Sequence, residues 1–233
     1  LCDMCYLTKC PYVPPHDFNI DFPHLMLRYR AVQFQNGQTP FVNKEITKTD
    51  RNGRAFGKIA SIVNWGSNVE NSIPRKLLEA TCNVHRDASL PKFHKQTFLE
   101  TDTNTAKSVN SKAPGCGRKA VIYATFFVNY NNPSIGPSAV SVLNTNGVET
   151  EVVYPSCCGM PQLEQGNIED VAKAAEKVAK ELRPWVDEGN DIIALTPSCA
   201  LMLKFEWPLI LPENEDVKVL SSCLLYTSDA ADE

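Results

Sequence analysis

Apolar runs alternate with amphipathic segments along the C-terminal half of the chain. Three runs are short enough for buried strands, and they lie at 120–128, 150–154 and 191–195. Segments with apolar residues at helical spacing predict helices at 134–146, from the capping residue Asn167 to near Gly189, and at 200–206. Strands that alternate with helices are typical of βαβ units. We therefore expect an α/β domain with a parallel sheet over 118–220.

The N-terminal half has a mixed, mostly helical pattern. A helix is predicted at 22–34, and weaker helical patterns cover 57–65 and 73–80. A polar stretch at 104–115, with Ser, Asn, Lys and Pro, predicts a linker between domains. The pattern therefore predicts a mostly helical connecting region over 19–115, which precedes the α/β domain.

The composition excludes some classes of function. Hydrophobic residues make up 43% of the 233-residue chain, which is enough for a sizeable core. With 23 basic and 27 acidic residues the net charge is −4, so we expect no nucleic acid among the partners. The longest apolar run, at 120–128, is far shorter than the ~20 residues that a membrane helix needs. No export signal is visible, and we expect no membrane-spanning segment.

Both ends of the sequence are unusual. The chain begins at Leu1 rather than at a methionine, which predicts a fragment or a processed chain. Residues 223–233 resemble the translation of a sequencing adapter, so we exclude them from the fold prediction. Cys223 is excluded with them, and eight of the nine cysteines remain to be explained.

A first group of cysteines lies in the Pro-terminated segment 1–18. The spacing is Cys2-x-x-Cys5-x4-Cys10-Pro11, which is similar to the C-x2-C-x2-C-x3-C-P run of bacterial ferredoxins. Here the last gap is one residue longer, and a preceding cysteine would fall before the first residue. We predict that Cys2, Cys5 and Cys10 bind a 4Fe–4S cluster as the C-terminal part of a ferredoxin-type motif. A zinc site, a disulfide loop and free thiols remain as alternatives.

A second group follows the predicted parallel strands. Cys157 and Cys158 come after the second strand, and Cys199 comes after the third. The carboxyl ends of parallel strands form the edge at which α/β sheets bind their ligands. We expect the second and third strands to be neighbours, and we therefore expect these three thiols to meet at one rim of the sheet as candidate metal ligands. Buried cysteines with a purely apolar role are the alternative.

The surroundings of these cysteines resemble the cysteine-rich CCG domain of heterodisulfide reductase and its relatives. That motif has a single Cys, a gap of about 30–39 residues, Cys-Cys-Gly, a similar gap and then C-x-x-C. The matching segments are Val-Asn-Tyr-Asn-Asn-Pro-Ser-Ile-Gly at 128–136, Cys-Cys-Gly-Met-Pro at 157–161 and Pro-Ser-Cys-Ala-Leu-Met-Leu-Lys at 197–204. Together with the N-terminal cysteines, the chain is similar to iron–sulfur subunits of anaerobic dehydrogenases.

The sequence departs from that family pattern at two ligand positions. Phe126 stands where the resemblance puts the first cysteine, and Thr196 stands where it puts the first cysteine of the closing C-x-x-C. The chain thus keeps three of the five cysteines, and we expect the original cluster chemistry of this site to be impaired. An incomplete site with another ligand, or a second iron–sulfur or zinc centre, remains open.

The resemblance implies an iron–sulfur electron-transfer subunit without catalytic side chains. Nucleotide-binding motifs such as G-x-G-x-x-G and G-x4-G-K-[ST] are absent, so a flavin-containing dehydrogenase subunit would have to supply the electrons. The resemblance further implies delivery toward quinone or a membrane anchor, from a cytoplasmic position or from the inner face of the membrane. Two alternatives remain. One is a thiol–disulfide enzyme with Cys157 or Cys158 as nucleophile and Cys199 as resolving thiol. The other is a zinc-stabilised interaction module.

Overall fold

Five helices make up the N-terminal half of the computed structural model, which describes residues 10–101 and 109–224. In chain order they are α1 (Phe22–Gln35), α2 (Phe41–Ile46), α3 (Thr49–Lys58), α4 (Ala60–Ser67) and α5 (Ser72–Cys82). The side chain of Asp21 caps α1 by accepting from the backbone N–H of His24 (3.2 Å). The helix predicted at 22–34 is confirmed, whereas the pattern at 57–65 spans two helices that are broken at Ile59.

A parallel sheet of three strands lies at the centre of the second half. The strands are β1 (Lys119–Tyr123), β2 (Glu149–Val153) and β3 (Asp191–Ala194), and their order is β2-β1-β3. Residues Ala120 to Tyr123 of β1 are fully buried or nearly so, because this strand has a neighbour on each side. The α/β fold with a parallel sheet, preceded by a mostly helical segment, is thereby confirmed.

Helices cover the sheet and complete its core. They are α6 (Ile135–Thr145), α7 (Met160–Glu164), α8 (Ile168–Asp187), α9 (Pro197–Leu201), α10 (Trp207–Ile210) and α11 (Glu215–Cys223). The Asn167 side chain caps α8 by accepting from the N–H of Asp170 (3.2 Å), as predicted. The apolar stripe of α8 is buried against Trp207 and Leu220. This helix therefore anchors the last part of the chain to the sheet.

The first strand is shorter than the sequence pattern predicts. The apolar run predicts a strand over 120–128, but β1 ends at Tyr123 and the chain turns into a π-helical segment, Phe127–Asn131. Ala124 and Val128 are buried nonetheless, in a small core with Phe98. Hydrophobic character here signals burial, and it does not by itself distinguish a strand from a helical turn.

The sequence pattern does not predict the last helix of the structure. Helix α11 ends at Cys223, whose thiol donates to the carbonyl of Asn190 (3.4 Å). Leu224 is buried and forms a parallel bridge with Ile192 of β3. The first two residues of the segment that resembles an adapter translation thus pack against the domain, while residues 225–233 lie outside the described residues.

None of the helices in the described ranges has the length and apolar character to cross a membrane. The predicted domain boundaries, including those of the 1–18 segment and of the linker at 104–115, remain predictions. Residues 1–9 and 102–108, which these boundaries involve, lie outside the described part of the chain.

Candidate functional site at the cysteine-rich rim

The loop after β2 carries the Cys-Cys-Gly sequence and is held from two sides. Asp50 of α3 accepts a hydrogen bond from the backbone N–H of Cys157 (3.0 Å) and another from the hydroxyl of Tyr154. From the sheet side, the hydroxyl of Tyr123 donates to the carbonyl of Ser156 (2.6 Å). The loop conformation is therefore fixed by groups from β1 and from the helical region.

Helix α3 can supply Asp50 because it approaches the sheet closely. A Cβ atom added at Gly53 would lie only 2.7 Å from the ring of Tyr130, which no side chain at this position could tolerate without displacement. Gly53 is accordingly buried at the contact between α3 and the π-helical segment. This contact places the N-terminal end of α3 against the Cys-Cys-Gly loop.

The structure brings the three predicted rim cysteines together in a buried cluster. Sγ of Cys158 lies 3.2 Å from Sγ of Cys199, and both are free thiols. Cys157, Cys158 and Cys199 are 6%, 1% and 7% exposed. The backbone carbonyl of Cys158 accepts from Nε1 of the buried Trp207 (3.0 Å). The meeting of thiols from positions 41 residues apart agrees with the expectation from the strand pattern.

The route by which the thiols meet differs in detail from that expectation. Strands β2 and β3 are not neighbours but flank β1, and Cys199 lies within α9 rather than directly at a strand end. The thiols that follow β2 and β3 therefore meet above the end of the central strand, β1. Gly159 assists on the β2 side, since its φ of +87° turns the chain into α7 in a conformation that a residue with a Cβ rarely adopts.

The two positions that lack the expected cysteines have contacts of their own. Phe126 packs against the core that contains the three thiols and stands 5.4 Å from Tyr130, measured between ring centroids. The Thr196 hydroxyl shares a hydrogen bond of 2.6 Å with the hydroxyl of Thr125. An aromatic ring and a paired hydroxyl thus occupy these positions.

Burial and mutual contact keep the thiols of Cys157 and Cys158 in their protonated form. The hydrogen bond with Cys158, together with burial, raises the pKa of Cys157 well above its ordinary value. The hydrogen bond with Cys157 lowers the pKa of Cys158. The hydrogen bond with Cys199 and burial outweigh it, so the pKa of Cys158 is well above its ordinary value. Since ligation requires thiolates, a bound cation would have to displace these protons.

The described residues do not by themselves form a complete cluster site. In the ranges 10–101 and 109–224, no group of three or more His, Cys, Asp or Glu side chains has an arrangement that could hold a metal ion. A 4Fe–4S cluster takes four cysteine thiolates, and the rim provides three. Of the N-terminal group, Cys10 is half-buried, while Cys2 and Cys5 lie outside the described residues.

The sheet and its rim are similar to a known family of domains. Residues 121–204, which include all three rim cysteines, match the family model described as CCG, cysteine-rich domain. We refer to this matched segment as the CCG domain. The CCG domain extends from β1 through the Cys-Cys-Gly loop to the segment after α9, so its boundaries enclose the whole thiol cluster.

Similarity to curated proteins extends beyond the CCG domain. An anaerobic glycerol-3-phosphate dehydrogenase subunit from Escherichia coli K12 is 28% identical over 180 residues, which is 76% of this chain and 43% of that protein. A fumarate reductase (CoM/CoB) subunit from Methanothermobacter marburgensis is 26% identical over 161 residues, 65% of this chain and 32% of that protein. Lactate utilization protein A of Bacillus pumilus is 28% identical over 99 residues, 41% of this chain and 39% of that protein.

The chain therefore spans less than half the length of these relatives. No solved structure matches it significantly.

Several residues that support the CCG domain could not be found from the sequence. Asp50, Thr125 and Trp207 each bind a group of the rim across a long stretch of chain. None of them stands in a motif with a cysteine, and Asp50 lies 107 residues before Cys157. Only the folded arrangement connects these residues to the site.

Proposed function

We propose that this chain is part of an iron–sulfur electron-transfer subunit of an oxidoreductase complex. In this proposal a flavin-containing dehydrogenase subunit supplies electrons, and they pass toward quinone, either directly or through a membrane anchor. The observation that carries it is the similarity over 180 residues, including the CCG domain, to a protein named as a dehydrogenase subunit. A second relative is named as a subunit of a reductase.

The residues proposed to hold the cluster are Cys2, Cys5 and Cys10, with a fourth ligand from outside this chain segment. A 4Fe–4S cluster would store and release single electrons. The protein contributes thiolates, a restricted backbone after Cys10 through Pro11, and burial that tunes the potential. No side chain forms or breaks a bond in this proposal. The protein would act in the cytoplasm or at the inner face of the membrane.

The rim cysteines Cys157, Cys158 and Cys199 are proposed as ligands of a second centre only if further ligands come from elsewhere. Phe126 cannot ligate, and the Thr196 hydroxyl is paired with Thr125. A partner chain or an exogenous ligand would have to complete an iron–sulfur or zinc site here. The three thiols alone do not fit a four-thiolate cluster.

The test is metal analysis of the chain extended at its N-terminus to the full gene, prepared without oxygen. We expect about four iron atoms and four sulfides per chain at the N-terminal site, and an electron paramagnetic resonance signal on reduction. Cys10→Ser should lower the iron content and alter that signal. Cys116→Ser, at an exposed cysteine outside both groups, is the matched control. Stoichiometric zinc without iron would instead identify a zinc-stabilised module.

A second candidate is a thiol–disulfide enzyme, and the 3.2 Å separation of Cys158 and Cys199 favours it. The Cys158 thiolate would attack a sulfur of a small-molecule disulfide, whose S–S bond breaks and releases one thiolate. Cys199 would then attack the mixed disulfide and release the second thiolate, which leaves a Cys158–Cys199 disulfide. The raised pKa of Cys158 opposes this chemistry, because the thiol itself is a poor nucleophile.

Mass spectrometry after mild oxidation distinguishes this candidate. We expect a Cys158–Cys199 disulfide under oxidised glutathione if the enzyme proposal holds, and a trapped glutathione adduct on Cys158 in the Cys199→Ser variant. Free thiols throughout, or a metal bound to all three cysteines, would exclude it.

A further inference from the structure

A cavity with a basic lining lies beside the loop that leads to the Cys-Cys-Gly sequence. It has a volume of about 670 Å³, within the range of small-molecule binding sites, about 300–1,000 Å³. Its lining combines residues of α3, of the π-helical segment, of the stretch 94–100 and of the loop at 154–156. Both the helical region and the CCG domain therefore contribute to it.

Four side chains that are cationic at neutral pH line this cavity, although the chain as a whole has a net charge of −4. They are Arg54, Lys58, Lys95 and Lys177, and all four are exposed. Within the ranges 10–101 and 109–224, none of them forms an ion pair. Cations that gather in a concave site without such partners produce a positive potential that attracts anions.

Two of these cations are positioned by hydrogen bonds to backbone carbonyls of residues that line the cavity. Nζ of Lys177 in α8 donates to the carbonyl of Pro155 (3.0 Å). Nε of Arg54 donates to the carbonyl of Asp50 (3.2 Å), and the other N–H groups of this guanidinium have no acceptor in the part of the chain that the structure describes. A guanidinium with free N–H groups matches two oxygens of a phosphate group. The fold thus brings cations from two distant helices to one cavity.

Two carboxylates line the same cavity, and they neutralise only part of its positive charge. Asp50 accepts from the N–H of Cys157 (3.0 Å) and from the hydroxyl of Tyr154. Glu100 accepts from the N–H of Thr97 (2.9 Å). Four cations against two carboxylates leave an excess of positive charge. This excess matches the charge of a phosphate ester at neutral pH, about −1.5 to −2.

Apolar surface in the cavity offers contacts for an organic body. Leu99 is 43% exposed and Pro155 is half-buried, and both line the cavity. We propose that this cavity binds a small organic molecule that carries a phosphate ester group. Arg54 and Lys177 bind the phosphate, and the organic part covers Leu99 and Pro155. This inference goes beyond the proposed function and does not rest on it.

The position of the cavity connects it to the thiol cluster. Lys177 contacts the carbonyl of Pro155, which stands two residues before Cys157 in the chain. Asp50, which also lines the cavity, holds the backbone N–H of Cys157. A ligand bound to Lys177 would therefore lie beside the loop that carries two of the rim thiols.

The test is a nuclear magnetic resonance titration of the full chain with phenyl phosphate and three comparison probes. Inorganic phosphate lacks the organic body, benzoate has a single negative charge, and benzyl alcohol has no charge. We expect phenyl phosphate to perturb the methyl resonances of Leu99 and Thr97, and to bind about five-fold more tightly than inorganic phosphate or benzoate and about ten-fold more tightly than benzyl alcohol. Salt at about 0.5 M should weaken its binding, because salt screens exposed charges. Equal affinity for phenyl phosphate and any comparison probe, or unperturbed methyl groups, would overturn the proposal.

Three variants and a control make the test specific. Arg54→Gln and Lys177→Gln should each weaken phenyl phosphate binding about five-fold, because each removes one cation from the cavity. Leu99→Ala should weaken the binding of phenyl phosphate but not of inorganic phosphate, since only the former has an organic body. Lys173→Gln removes the same charge one turn earlier on α8, at a residue outside the lining, and should change the affinity by less than about two-fold. Unchanged affinity in both Arg54→Gln and Lys177→Gln would reject the site.

An acidic protein surface would also be attracted to these cations, and a further probe distinguishes it. Binding of polyglutamate that is weakened by Lys177→Gln, without binding of phenyl phosphate, would assign the basic lining to an acidic macromolecule and overturn the proposal. Binding of a phosphate ester requires neither iron nor electron transfer, so this inference and the proposed function succeed or fail separately. Retained thermal unfolding in the variants, measured by circular dichroism, separates lost binding from lost folding.

Discussion

At the scale of single residues, the rim depends on Asp50, an acidic side chain whose role no sequence pattern predicts. Asp50 accepts from both Tyr154 and Cys157, and burial together with the charge of Asp50 raises the pKa of the Tyr154 hydroxyl. The hydroxyl therefore stays protonated and remains a donor throughout the physiological range. The cysteines themselves could be predicted, because each follows a recognisable strand. Asp50 could not, because nothing in a helical segment pairs it with a loop so distant.

Replacement of Asp50 tests this anchoring role. Asp50→Ala leaves the Tyr154 hydroxyl and the Cys157 N–H without an acceptor, and we expect a loss of about 2–3 kcal/mol in the free energy of unfolding. Asp50→Asn keeps one acceptor oxygen and should cost about 1 kcal/mol. Urea denaturation measures both. Asp87→Ala, at a carboxylate whose side chain is 82% exposed, is the control and should stay within about 0.5 kcal/mol of the parent.

At the scale of secondary-structure elements, capping and periodicity predict more than hydrophobicity does. The Asn167 cap and an apolar face at helical spacing predict helix α8, and both are present. The apolar run at 120–128 indicates burial correctly except at Phe127, which is 42% exposed, but it indicates the wrong conformation beyond Tyr123, where the chain turns and Thr125 meets Thr196. This turn is accompanied by a contact with a residue 71 positions away, and the local spacing of hydrophobic residues contains no information about such a contact.

Paired glycine substitutions test the backbone requirement at the entry to α7. Gly159→Ala should lower the free energy of unfolding by about 1–2 kcal/mol, because the left-handed φ of +87° is unfavourable for alanine. An added Cβ would also lie only 3.3 Å from Cα of Val171. Gly66→Ala, in helix α4 and with space for a methyl group among the described atoms, should instead raise stability by about 0.5–1 kcal/mol. Equal effects at the two sites in urea denaturation would contradict this account.

At the scale of the whole molecule, ionic contacts join the helical region to the CCG domain. His24 of α1 contacts Asp21 (2.5 Å) at the start of its own helix and Glu206 (3.2 Å), which directly precedes α10. Arg30, also in α1, contacts Glu164 of α7 (2.5 Å). The existence of two regions could be predicted from the change in pattern. Their docking could not, since the residues that pair across it, such as Arg30 and Glu164, carry no signal of that pairing in the sequence.

The His24 contact makes stability depend on pH. Burial lowers the pKa of His24, but the hydrogen bond to Asp21 and the charge of Glu206 outweigh it and raise the pKa above 6.5. The stabilisation is thus fully present below pH 6.5 and is lost as the pH rises through the raised pKa. Relative to His24→Gln, the parent should be more stable by up to about 1 kcal/mol near pH ~6, and this advantage should shrink toward pH ~8 in urea denaturation.

A second substitution isolates the partner across the interface. Burial raises the pKa of Glu206, while the charge of His24 lowers it. In a Glu206→Gln background the pH-dependent part of the His24→Gln effect should therefore decrease, with Asp21 left as the remaining partner. A His24→Gln effect that does not change between mildly acidic and mildly alkaline buffer would show that the contact carries no ionic stabilisation.

The closeness of Cys158 and Cys199 has a consequence for the folding thermodynamics of the chain. A covalent link between them would close a loop of 41 residues that contains α7, α8 and β3. Loop-closure entropy lost from the unfolded chain would then favour the native state by about 4 kcal/mol. Thermal unfolding of this protein should accordingly occur at a higher temperature after oxidation than in the presence of a reductant. The melting temperature of a preparation would therefore depend on how much of it carries the Cys158–Cys199 disulfide, even if the two thiols never take part in a catalytic cycle.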